Sequence, residues 1–126
     1  MGHGRTERGS ATIEHLILLP ALFAVLFLGM QAALFFHARS VAIAAAQEGA
    51  RAAAGEAARE GDGVRAANAF LTDAGDDALT GATVSTSRTV GSVTVVVEGH
   101  SLSVLPGWSP VIRQSATVQI ERLTSP

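Results

Sequence analysis

A chain of 126 residues with a formal net charge of −2 leaves room for one small domain. It has no cysteine, which excludes a disulfide framework and any thiolate metal site. Its nine basic residues are dispersed and not interleaved with aromatics, so nothing in the composition argues for nucleic-acid binding.

Met1 to Gly9 (MGHGRTERG) is short, polar and basic, with Arg5 and Arg8 against Glu7. Leu16 to Phe36 (LILLPALFAVLFLGMQAALFF) then gives 21 residues with one polar side chain, Gln31, and no charge. At about 1.5 Å per residue this run is roughly 30 Å long, the thickness of a bilayer core. It predicts a single membrane-spanning helix. The run is longer than an ordinary signal-peptide core, so removal at the small-x-small site Ala38-Arg39-Ser40 is the lesser reading. Arg5 and Arg8 before the run balance Arg39 and Arg51 after it. The terminal amine and the short polar head tip the expected orientation to N-terminus in, C-terminus out.

Pro20 lies inside the run, where it removes a backbone hydrogen bond and is expected to kink or loosen the helix. Gly29 reads as incidental. Beyond the run, Ala38 to Glu60 consists mostly of strong helix formers. A helical wheel places Ile43, Ala46, Ala50, Ala53, Ala54 and Ala57 on one face, shallow enough for close approach to another element. Glu48–Arg51 and Glu56–Arg59 are favourable pairs three residues apart. Gly49 and Gly55 weaken the helical pattern. One helix over residues 10–60 would form a stalk of roughly 75 Å, half in lipid and half outside.

Gly61-Asp62-Gly63 breaks that pattern, and Asp62 is placed to cap a second helix, Gly63 to Asp73, with Val64, Ala67, Phe70 and Leu71 on one face. Ala74 to Gly81 reads as a turn or short helix. Asp76 and Asp77 lack the alternating acidic spacing of a calcium loop, so a solvated turn is the preferred reading. From Gly81 the period changes to two. Thr83 to Val90, Ser92 to Glu98, His100 to Leu105 and Ser115 to Glu121 predict three or four antiparallel strands, covered on one side by the second helix or the stalk. Ser92 to Glu98, with three consecutive valines, reads as central. Pro106-Gly107 reads as a turn, and Trp108 to Arg113 as a loop or short helix whose indole plugs the core. The apolar candidates for that core are few, from Phe70 and Leu71 through Val93, Val95 and Val97 to Ile112, Val118 and Leu123.

No catalytic set is visible. His3, His15 and His37 lie at or before the membrane run or just after it, and His100 reads as a surface histidine. There is no histidine pair at metal spacing, no glycine-rich phosphate loop and no glycine-flanked nucleophilic serine. Glu14 stands at the mouth of the apolar helix, where a carboxylate is costly to bury. Two readings stand on the residues alone. Glu14 marks the first turn near the headgroups, with Ser10 and Thr12 as caps nearby, or it serves a function that needs a carboxylate there.

The stretch Arg8-Gly9-Ser10-Ala11-Thr12-Ile13-Glu14, with Pro20 six residues on, resembles the TadE-like pseudopilins of tight-adherence (Flp) pilus systems, a branch of the type IV pilin-like proteins. Those proteins carry a basic leader ending in Gly, a small or polar run of four residues, Glu at the fifth mature position, and a long apolar helix. Here His15 stands where Tyr or Phe is common. The strand ending Ala116 to Arg122 is also similar. The resemblance implies a leader over residues 1–9, cleavage between Gly9 and Ser10 by a prepilin-type peptidase, and Glu14 as the assembly residue. It also implies pairing of the Glu14 carboxylate with the free amine of a neighbouring subunit.

The expected fold is α+β and pilin-like: a transmembrane and stalk helix over residues 10–60, then an extracytoplasmic domain over residues 61–126 with a short helix and a small antiparallel sheet. The expected role is a non-enzymatic minor pseudopilin or assembly component of a tight-adherence pilus or related secretion system, without a cofactor. Its expected location is the cytoplasmic membrane, or a surface pilus after processing. Its partners would be other pilin or pseudopilin subunits, inner-membrane platform proteins and the lipid bilayer. The alternatives are an uncleaved membrane-anchored scaffold of a secretion machine and, less favoured, a protein released after Ser40.

Overall fold

The computed structural model describes residues 3–55, 58–59, 61–75 and 77–120, with side chains from residue 9 onward. The side chains of Arg5 and Arg8, and residues Glu56, Ala57, Glu60, Asp76, Glu121, Arg122 and Leu123, lie outside that description, and so do the readings placed on them.

One helix, α1 (His3–Ala54), takes up 52 residues, about 78 Å at the α-helical rise. It ends at Ala54 rather than at Glu60, because Gly55 interrupts it; Ala58 N–H closes onto Gly55 O at 3.0 Å. Pro20 lies inside α1 and the helix continues on both sides of it. The Glu48–Arg51 pair forms at 3.2 Å on the exposed face, where such a contact contributes a few tenths of a kcal/mol, about 0.3.

The second half of α1 is not a free stalk. Ala38, Ala42, Ala45, Ala46 and Ala50 are fully buried, with Val41, Ala53 and Ala54 nearly so. Of the face drawn from the helical wheel, Ala46, Ala50, Ala53 and Ala54 are buried and Ile43 is half-buried. The buried stripe is broader than that face because two elements pack on the helix from different sides. One is α2 (Asp62–Gly75), which crosses α1 where Gly49 faces Gly63. A Cβ on Gly49 would lie 2.8 Å from Gly63 O, so the two backbones meet with no side chain between them. Gly49 is therefore the packing point of the helix pair and not a weak spot in α1. Ala67 and Leu71 of α2 are buried and Val64 and Phe70 half-buried, the face that the sequence spacing indicates. Asp62 serves the connection as well as the helix: its Oδ2 accepts from Arg59 N–H at 2.8 Å.

The other packing element is a three-stranded antiparallel sheet in the order β1-β2-β3, formed by β1 (Leu79–Arg88), β2 (Ser92–Ser101) and β3 (Val111–Gln119). The valine-rich strand is the central one, as its sequence indicates. Val93, Val95 and Val97 point at α1 and are buried, while Thr94 and Glu98 alternate onto the outer face, where Thr94 and Thr117 pair across strands at 2.8 Å.

Three expected boundaries differ. Strand β3 begins at Val111 and not at Ser115, because Val111 to Arg113, expected in a loop or short helix, pair with Glu98 to His100 of β2. Strand β1 begins at Leu79 and runs through Gly81, which sits at φ +60° in a bulge between Thr80 and Thr83. The extra residue shifts the pleat by one, so that Leu79, opposite Ser101, and Val84, opposite Val97, both face inward. His100 to Leu105 is not a strand of its own: His100 and Ser101 end β2 and the rest is loop. The sheet is covered by both helices, α1 over β2 and β3 and α2 over β1.

Candidate functional site

Every described residue from Gly9 to Met30 is exposed, and the large apolar side chains from Ile13 to Met30 range from 46% exposed at Phe27 to 69% at Leu16. A water-soluble domain rarely leaves so much contiguous apolar surface uncovered. These 22 residues extend about 33 Å, and the helix carrying them is long and apolar enough to cross a membrane.

The residues singled out in the sequence all lie on this arm. Gly9 and Ser10 are exposed, and a Cβ on Gly9 would meet nothing within 4 Å. Glu14 is exposed one turn further on and has no hydrogen bond or ion pair among the described residues. Its neighbour His15 turns back along the helix to Ala11 O at 2.7 Å. Pro20 is exposed, and Gly29 has open space around its Cα. Among the described residues, then, nothing partners Glu14 and nothing covers the arm.

The arm ends at Gln31, whose role the sequence did not indicate. The apolar run was expected to form the span as far as Phe36. Instead Gln31 is 3% exposed, beneath the loop that joins β2 to β3. Its Oε1 accepts from Val104 N–H at 3.0 Å and lies 3.1 Å from Ser103 Oγ, and its Nε2 reaches Leu102 O at 3.5 Å. The side-chain amide therefore works as a clip between the helix and a loop more than 70 residues away in sequence. Leu34 and Phe35 are half-covered in the same region. Trp108 does not plug the core. It is 50% exposed and lines an apolar cleft with Leu28, Ala32, Phe35, Phe36 and Pro110.

The clip gives a direct test. Gln31→Leu keeps the volume but leaves the Val104 N–H without its acceptor; Ser103 Oγ retains Leu105 O at 2.9 Å. The orphaned amide costs about 1–3 kcal/mol, so hydrogen exchange at Val104 is expected to speed up roughly 5- to 150-fold. Unchanged exchange at Val104 would mean that the clip does not hold the loop.

Among the described residues no three His, Asp or Glu side chains converge to hold a metal ion. Residues 9–51 match the family model described as TadE-like protein. The chain matches no curated protein and no solved structure. The matched stretch begins at Gly9, carries Glu14, Pro20 and Gln31, and ends inside the buried half of α1. The likeness to TadE-like proteins covers this segment, about a third of the chain.

Proposed function

We propose that this protein is a pilin-like minor pseudopilin or assembly component of a tight-adherence (Flp-type) pilus or a related secretion system. It is held in the cytoplasmic membrane by the arm of α1, with the sheet domain on the extracytoplasmic side. One observation carries the reading: the exposed apolar arm starts at Gly9, bears at its head a Glu14 with no partner among the described residues, and gives way at Gln31 to a folded domain. An arm of bilayer length stores the subunit in lipid. A carboxylate near its end needs a cation once lipid or neighbouring helices surround it.

In this reading a prepilin-type peptidase cuts between Gly9 and Ser10. The new Ser10 amine of one copy then meets the Glu14 carboxylate of the next. Glu14 lies four residues along from Ser10, about 6 Å of helix, so the pairing offsets neighbouring copies along the helix axis by about one turn. The protein is a substrate of the peptidase and has structural work only, with other pilin subunits and inner-membrane platform proteins as partners.

The test is intact mass and N-terminal sequencing of the protein from native membranes, beside a Gly9→Ala version. The expected wild-type chain starts at Ser10, and cleavage is lost or slowed in the variant. A start at Met1 or Gly2 would overturn processing and leave an uncleaved anchored scaffold. A start at Val41 would make the apolar arm a signal sequence, and would also cut through the buried stripe between Ala38 and Ala42.

A further inference from the structure

Residues 31–36 of α1 lie just beyond the exposed arm and extend about 7–8 Å, close to the thickness of one headgroup layer. The β2–β3 loop is clipped at this height by Gln31. From Ser101 to Ile112 the chain contains no charged residue, and the loop leaves Leu102 38% and Trp108 50% exposed. Leu105 N–H to Ser103 Oγ and the Trp108 N–H to Leu105 O bond fold it into a tight turn, with Gly107 at φ +77°. Phe36, 58% exposed, flanks the indole across the cleft, which runs onto Leu28 of the arm past Gln31, whose amide is turned into the loop and leaves only 3% of the residue exposed.

The geometry points to a second membrane contact: the β2–β3 loop is a foot that rests in the headgroup layer of the bilayer that α1 crosses, with the Trp108 indole at the lipid–water boundary. This rests on the membrane reading of the arm given above. The lipid surface is the occupant because the cleft is continuous with the lipid-facing side of the arm. A neutral loop tipped by Trp also suits a region that is apolar at one end and wet at the other. Two attachments, the helix and the foot, fix the tilt of the sheet domain over the membrane as well as its height.

Trp108 is the single tryptophan, so its fluorescence reports the foot alone. The full chain is reconstituted in phosphatidylcholine–phosphatidylglycerol vesicles whose acyl chains are brominated either near the carbonyl or near the chain end. Trp108 is expected to lose emission to the shallow bromines, to keep it with the deep ones, and to be poorly reached by acrylamide. A second protein, Phe23→Trp in a Trp108→Phe background, reports the arm and is expected to be quenched by the deep bromines. If Phe23→Trp is quenched and Trp108 is not, the foot is overturned while the span stands. If neither is quenched, the membrane reading fails and takes the foot with it. If Trp108 emission changes on dilution of the protein in lipid and ignores bromine, the cleft is filled by a second copy of the chain and the proposal is overturned.

Discussion

Gly49→Val is expected to destabilise the domain by about 3 kcal/mol, in the upper range for overpacking a close-packed interior. The first atom of the new side chain would fall 2.8 Å from Gly63 O and 3.1 Å from both Ala67 Cβ and Val95 Cγ1. None of these can yield cheaply. Gly63 O is backbone, Ala67 has no rotamer to change, and Val95 is fully buried in the central strand. Helices α1 and α2 must separate, and the sheet with them. Gly49→Ala meets the same three atoms but recovers about 1 kcal/mol of helix propensity, so its cost is smaller. Gly29→Ala adds the same methyl group to the same helix in open space and is expected to leave the domain unchanged. Thermal unfolding in detergent, followed by near-ultraviolet circular dichroism, checks the series. At about 4–8 °C per kcal/mol for a domain of this size, Gly49→Val should melt at least about 12 °C below the wild type. A melting point within about 2 °C of it would mean that the close crossing is not what holds the domain together.

Glu14→Leu is expected to leave the protein in the membrane and to abolish its association with other copies. The argument follows from the proposed pairing. Removing one partner of a buried charge pair leaves the other charge uncompensated, which costs about 3–5 kcal/mol and corresponds to at least about a 100-fold loss of association. The chain has no native cysteine, so single Leu18→Cys and Leu22→Cys copies report contacts on the exposed arm without background. Oxidative cross-linking of Leu18→Cys copies to Leu22→Cys copies, the positions that the one-turn offset brings level, should give dimers, and the same experiment in the Glu14→Leu background should give none. Glu14→Asp keeps the charge on a shorter stem and should restore part of the yield. Equal cross-linking with and without the carboxylate would sink the assembly role of Glu14, whereas loss of the variant from the membrane fraction would mean that Glu14 serves insertion.

What could be read from the residues was whatever leaves a local period. The 21-residue apolar run, the change from a helical to an alternating pattern near Gly81, and the valines of β2 each follow from neighbours in sequence. The buried face of α2 follows from residues at three- and four-residue spacing for the same reason. Contacts over a long sequence separation left no such trace. Gln31 was read only as the one polar side chain of a span, because its partners, Leu102 to Val104, are brought to it by the fold alone. Trp108 looked like core because it is large and apolar, whereas the tight turn around Pro106-Gly107 holds it outside. The alanines of α1 were underestimated for another reason. Alanine carries little apolar area of its own, so a core built on it depends on backbones meeting closely, which shows in glycine contacts and not in hydropathy. Glu14 and the Gly9–Ser10 bond stood out through resemblance, and the structure adds that nothing within the described chain covers them.

The exposed arm and the core of the domain belong to one helix that continues through Pro20, so a single shaft carries both. Ala38 to Ala54 are locked under the sheet, and Gln31 pins the shaft again just below. The compass bearing of Glu14 around the helix axis, relative to the outer face of the sheet, is therefore fixed when the domain folds. Each residue added between them would turn that bearing by about 100° and lift the sheet by about 1.5 Å. A neighbour that engages Glu14 is thereby told from which side to approach the sheet.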